Sequence, residues 1–371
     1  MRFCSWAFSL PTSLILSVSL IAQPVLACSA FQMPLVSHRL VGRNFDWDYG
    51  HGLIIVNKRG VAKKAIPMQP TDTVKWVSKY GSLTFNQAGR ELPYGGVNEA
   101  GLMIEVLWLG YTAWPVTSTP SINEVQWIQH QLDTKGSVQE LVSKINDVRI
   151  LSAFAKVHFI ACDASGDCAS IEGAGGQLVS VHAGAQMPLE ALTNDTYEGS
   201  VKHALKFIDS GTCSQVKPGS MRSLDRFARA ACAISISPEI LPGTSPEAVV
   251  ASETLRANAI LDDVAQGPYT QWRIVYDLTA RTISIRTKDA PIAKTVSLSA
   301  FDLSCATPAQ TLDLQTAIAV PADVSRLFGN YTVDQNRKIV EASLLNGFAH
   351  LPQSTVDQVV AFPDKTVCVA P

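Results

Sequence analysis

Apolar and polar positions along the chain fall into runs of two periods. Segments 40–48, 52–59, 83–87 and 102–109 are rich in β-branched and aromatic residues and are broken by glycine or by the turn Asn98-Glu99-Ala100-Gly101. They predict strands of a sheet formed early in the chain. Ser121-Ile122-Asn123-Glu124 and Ser137-Val138-Gln139-Glu140 are capping boxes, and each opens a helical pattern: Ile122, Val125, Ile128, Leu132, then Val138, Leu141, Val142, Ile145. Strands are expected again at 156–164, 167–172 and 177–182. Helices are expected at 199–208, 223–234 and 246–261, and a final strand pair at 271–278 and 282–287. Past residue 308 the pattern weakens, leaving one helix at 335–345.

Strands, helices, strands, helices and strands in segregated runs point to an α+β protein rather than a doubly wound parallel sheet. No internal repeat, low-complexity tract or linker interrupts the chain, which favours one domain over residues 28–371. Residues 1–27 differ from the rest. A lone positive charge at Arg2 precedes an apolar stretch and then Gln23-Pro24-Val25-Leu26-Ala27, the pattern of a cleaved signal peptide. The stretch contains Pro11 and several serines and falls short of the roughly 20 apolar residues of a membrane span. The expected locations are the periplasm or the medium, with no span left after the leader is removed.

Composition narrows the partners. With 30 basic and 32 acidic residues the chain is close to neutral, so nothing predicts a nucleic-acid partner. The histidines stand singly, without the spacing of a metal site, and Gly173-Ala174-Gly175-Gly176 lacks a P-loop lysine. The expectation is no cofactor and no metal. Eight cysteines are present, of which Cys4 lies in the leader. An exported chain keeps disulfides, and an odd number leaves one thiol over. Cys162 and Cys168 flank a turn-rich segment, Cys213–Cys232 and Cys305–Cys368 are then the pairs nearest in sequence, and Cys28 is left unpaired. Spacing alone does not fix this, since six cysteines allow fifteen pairings.

Cleavage after Ala27 places a thiol and a free α-amino group on one residue, Cys28. An α-amine with a reference pKa of about 7.7–8.0 can take the proton of a thiol at about 8.5, so nucleophile and base come together and no histidine is needed. Cys28 is also open to two other readings, half of a disulfide or the acylated cysteine of a lipid-anchored binding protein. Next comes Gly42-Arg43-Asn44-Phe45-Asp46-Trp47-Asp48, a strand-like piece dense in charge. Arg43 would favour a thiolate and Asp46 would orient an ammonium. A local Arg43–Asp46 pair on an exposed turn is the alternative.

These pieces resemble the choloylglycine hydrolases, N-terminal-nucleophile amidases that include bile salt hydrolases and penicillin V acylases. The resemblance is carried by Cys28-Ser29-Ala30-Phe31, Gly42 to Trp47, Val97-Asn98-Glu99-Ala100-Gly101-Leu102, Leu192-Thr193-Asn194-Asp195-Thr196-Tyr197, Ser223-Leu224-Asp225-Arg226-Phe227 and Thr270 to Asp277, in that order. It implies a four-layer αββα fold and hydrolysis of a linear amide in a small-molecule N-acyl substrate. Cys28 would be the nucleophile, Arg43 and Asp46 would hold thiolate and amine, Asn194 would donate to the oxyanion, and Arg226 would complete the polar cluster. It also admits a homotetramer. One position departs. Where the bile-salt branch has an asparagine, this chain has Trp108, whose indole cannot replace an amide. A backbone N–H near Trp108 is the expected second oxyanion donor. Trp47, Trp108 and Trp114 are candidates for an acyl pocket, with a place in the core as the alternative. A pocket of indoles favours a phenoxyacetyl or fatty acyl group, as in penicillin V or an N-acyl homoserine lactone, over a bile salt.

Overall fold

A computed structural model describes residues 28–34, 38–66, 74–236, 242–346 and 352–369. The predicted leader, 1–27, lies outside the described residues. Among the described residues the strands form two large sheets, of seven and nine strands. In the first, Ser29–Pro34 lies between Ala191–Leu192 and Arg39–Asp46, which in turn pairs with Thr270–Asp277. The second has Val157–Cys162, Met103–Trp108 and Pro93–Asn98 at its centre.

The helices are α1 (Glu124–Thr134), α2 (Val138–Ser143), α3 (Tyr197–Ile208), α4 (Ser223–Ile234), α5 (Pro246–Asp263), α6 (Val333–Asn346) and α7 (Gln353–Ala361). Helices α4 and α5 cover the first sheet and α1 covers the second. The two sheets face each other, with Phe85 edge-on to Tyr276 at 6.0 Å between ring centroids. The protein is therefore α+β, with the layers helix, sheet, sheet, helix.

Alternation along Arg39–Asp46 places the site. Arg43 and Phe45 point between the sheets, where Phe45 meets Tyr94 and Trp272. Asn44 and Asp46 point to the helical layer, where Asn44 donates to the Leu261 carbonyl of α5. Gly42 makes room for this neighbourhood, because a Cβ there would lie 2.5 Å from the Phe31 ring of the adjacent strand.

Most expected elements form, with ends shifted by one or two residues. Helix α1 begins later than the first capping box predicts. Ser121–Asn123 is a short strand paired in parallel with Arg149–Leu151, so Asn123 caps the helix by accepting from the Gln126 N–H at 2.8 Å. Helix α7 and the first strand, Ser29–Pro34, carry no pattern that the sequence reading detected.

Candidate active site

Cys28 opens the strand Ser29–Pro34 and is buried, and it is the free cysteine among the described residues. Burial pushes its thiol above the ordinary range. The Arg43 guanidinium and the backbone N–H of Asp46 pull it back, while the Asp46 and Glu105 carboxylates push it further up. The other cysteines pair as Cys162–Cys168, Cys213–Cys232 and Cys305–Cys368, the set that nearness in sequence suggested.

Arg43 is completely enclosed. Its Nε lies 2.6 Å from Glu105 on the facing sheet, its Nη2 donates to the Val106 carbonyl at 3.1 Å, and its guanidinium sits 4.7 Å above the Phe45 ring. Its remaining nitrogen, Nη1, is buried without an acceptor among the described residues. A buried donor left open costs about 1–3 kcal/mol unless something completes it, and Cys28 is, after Glu105, the acidic group that acts most strongly on this guanidinium. Glu105 also accepts from the Tyr276 hydroxyl. Burial raises its carboxyl to about 7, against Arg43 and Tyr276, which lower it.

Asp46 does not form the local pair with Arg43 that a surface turn would give. Its oxygens accept from Gln266 Nε2 at 3.0 Å and from the Thr270 hydroxyl. The pairing of Asp46 with Thr270 is followed by a register shift to Trp272. A bulge of this kind re-aims side chains, and here it leaves Thr270 against the carboxylate. Burial raises Asp46, and Arg226, Thr270, Gln266 and Arg43 oppose the rise.

Arg226 on α4 is fully buried, which rules out a helix-surface charge. Its Nη1 donates to the Cys28 carbonyl at 2.8 Å and to Ser29 Oγ at 2.5 Å, and its Nη2 donates to Asn194 Oδ1 at 2.8 Å. Asn194 Nδ2 donates to the Trp108 carbonyl at 2.8 Å, and the Asn194 N–H donates to Ser223 Oγ at the start of α4. The preceding carbonyl, of Thr193, is held by His158 Nε2 at 2.6 Å. That histidine is a satisfied core residue, with Glu172 on its other nitrogen. Arg229, three residues past Arg226, belongs elsewhere. It clamps Asp263 and the Lys217 and Ser220 carbonyls.

Cys28 and Asp46 open into a cavity of about 920 Å³, its mouth included, whose wall is almost wholly apolar. Trp47 and Trp108 line it. Trp114 does not; it is buried against Phe159, 5.8 Å between ring centroids. The backbone beside Trp108 is also engaged, since the Trp108 carbonyl accepts from Asn194 and the Leu109 N–H donates to Lys156. Several residues here escaped the sequence reading: Glu105, Tyr276, Gln266 and Thr270 as partners of the charges, and Phe154, Val340 and Val359 in the cavity wall. Glu124 is another. Its carboxylate accepts from the N–H groups of Ala153, Phe154 and Ala155, which fixes the turn that carries Phe154 into the wall. The one available signal was Glu105 itself, a charge inside an apolar strand.

Residues 28–311 match the family described as linear amide C-N hydrolases, choloylglycine hydrolase family. The chain belongs to that family. It is 25% identical over 238 residues to a penicillin V acylase of Pectobacterium atrosepticum, a match that spans 55% of this chain and 62% of the relative's length. Among solved structures, a penicillin V acylase from Agrobacterium tumefaciens superposes with a TM-score of 0.70 at 26% identity, over 82% of this chain and 98% of the other. A conjugated bile acid hydrolase variant from Clostridium perfringens shares the fold, with a TM-score of 0.62 at 14% identity over 79% of this chain and 99% of that one. These neighbours confirm the N-terminal-nucleophile fold that the sequence resemblance implied.

Proposed function

We propose that the protein is an exported amidase that cleaves N-acyl amides through a thioester on Cys28, with penicillin V and N-acyl homoserine lactones as the substrate class. The observation that carries this reading is the thiol of Cys28 opening into an apolar cavity beside the unsatisfied Nη1 of Arg43. Release of residues 1–27 would give Cys28 a free α-amino group. A thiol held neutral by burial needs a base, and the α-amine of the same residue takes its proton directly or through a water. Arg43 then faces a thiolate, and Asp46 faces an ammonium.

The thiolate attacks the amide carbonyl. Asn194, whose oxygen is held by Arg226 so that its Nδ2 is the donor, stabilises the oxyanion. The ammonium returns its proton to the leaving amine, and water, deprotonated by the same α-amine, releases the acid. Phenoxyacetyl or fatty acyl groups suit a wall of Trp47, Trp108, Phe154 and valines better than a steroid carrying several hydroxyls does. Three disulfides support export, and no helix among the described residues is long and apolar enough to cross a membrane.

Intact mass of the secreted protein together with a hydrolysis assay tests this reading. The mature chain starts at Cys28, hydrolyses penicillin V faster than glycocholate, and loses activity in Cys28→Ser. Full activity with one extra residue retained ahead of Cys28 would overturn the mechanism.

A further inference from the structure

The cavity wall is not built only from the residues that match the family. That match ends at residue 311, yet Val340 and Ser343 of α6 and Val359 of α7 line the same cavity as Cys28. The helical pair is attached to the site by specific contacts. Tyr49, two residues past Trp47, donates its hydroxyl to Ser343 Oγ at 2.9 Å. The Arg90 N–H donates to Asn336 Oδ1 at 2.7 Å, and the Asn336 amide donates to the Val360 carbonyl of α7 at 3.1 Å.

Val340 also presses on the turn that carries Ala88 into the cavity. A Cβ on Gly89 would lie 2.8 Å from Val340 Cγ2 and 3.7 Å from Val359 Cγ1, and the φ of +115° at Gly89 fits glycine alone. Val340, Val356 and Val360, with Val359 against them, form an apolar cluster separate from the main core. These valines therefore pack mainly on each other and on the cavity rather than on the sheets. A residue in that position can change size and reshape the cavity without disturbing the Arg43, Asp46 and Arg226 network.

We propose that α6 and α7 are the acyl-selecting wall, with Val340 and Val359 setting how long an acyl group the cavity accepts. The proposal rests on the amidase reading for its substrates but not for its geometry. A methylene gained or lost in an apolar pocket changes discrimination by about 10-fold or more. Filling the wall with Val340→Phe should therefore lower the ratio of kcat/KM for decanoyl over butanoyl p-nitroanilide by about 10-fold. Val359→Ala, which enlarges the cavity, should raise that ratio, and the change should fall mainly on KM.

Two measurements made side by side give the test: this ratio, and the Kd of decanoate read from tryptophan fluorescence, since Trp47 and Trp108 share the cavity. Val340→Phe should weaken decanoate binding whether or not any amide is cleaved. Absence of turnover with Kd values that follow side-chain size would remove the amidase reading and keep the wall. An unchanged ratio and an unchanged Kd in both variants, each folded by its melting curve, would overturn the proposal.

Discussion

Arg226 Nη2 donates to Asn194 Oδ1 at 2.8 Å, while Nη1 of the same guanidinium donates to the Cys28 carbonyl at 2.8 Å. One rigid fork thus holds both the residue that carries the thiol and the Asn194 side chain. On the proposed mechanism Asn194 is a fixed oxyanion donor, which contributes about 10²–10³ in kcat to an acyl transfer. Asn194→Ala is expected to lose that much kcat, with an unchanged melting curve as evidence of folding. A loss under 10-fold would remove Asn194 from the oxyanion site.

Glu105 gives a pH signature with a definite sign. Its carboxyl stands at about 7 in the folded protein against 4.5 for an ordinary glutamate, because of burial. The folded state therefore keeps this proton to higher pH than the unfolded chain does. The stability it contributes is fully present below 4.5 and is lost as pH rises towards about 7. Glu105→Gln cannot lose a proton, so its melting temperature should gain on the wild type between those pH values and run parallel above them. The same change removes a negative charge that raises the Cys28 thiol, so the alkylation profile should move to lower pH. A shift to higher pH would contradict the assignment.

Gly95 tests the packing behind that carboxylate. A Cβ at position 95 would stand 2.2 Å from the Glu105 carboxyl group, whereas one at Gly329 would meet nothing within 4 Å. Gly95→Ala should destabilise the fold by about 1–3 kcal/mol and displace Glu105 from Arg43, with a loss of activity. Gly329→Ala should stay within about 0.5 kcal/mol of the wild type. Urea denaturation of both variants decides the matter, and equal midpoints would refute it.

The disulfide Cys305–Cys368 spans 63 residues and encloses α6 and α7. A loop of that length stabilises by up to about 4 kcal/mol through the unfolded chain. Replacing both cysteines with serine should lower the melting temperature. It should also raise KM for long acyl chains more than for short ones, because the wall loses its tether. Proteolysis should then begin within 333–361. Cleavage starting in the sheets instead would count against the tether.

The sequence exposed the charged residues of the site but not what holds them. Cys28, Arg43, Asp46, Asn194 and Arg226 stand in short strings that resemble a family, and a dense run of charge in a strand is visible locally. Glu105 answers those charges from the facing sheet, Tyr276 and Thr270 from the adjacent strand, and Gln266 from a distant turn, where no local period reports a neighbour. The cap of α1 moved from Ser121 to Asn123 because pairing with Arg149–Leu151 took residues 121–123 into a strand. Helix α7 was missed because its few buried positions, Val356 and Val360, meet α6 rather than the main core. Trp47 and Trp108 were placed in the cavity and Trp114 in the core only by the three-dimensional packing.

Cys28 stands at the head of an interior strand with its carbonyl already gripped by Arg226. On the proposed mechanism every other part of the machinery is assembled by folding, and the base alone is missing until the bond after Ala27 is cut. With residues 1–27 as the proposed export leader, activation would coincide with crossing the membrane. On that proposal the cell that synthesises the precursor would hold a silent protein in its cytoplasm, its own acylated amides would be safe there, and the catalyst would first exist in the compartment where foreign or signalling amides arrive.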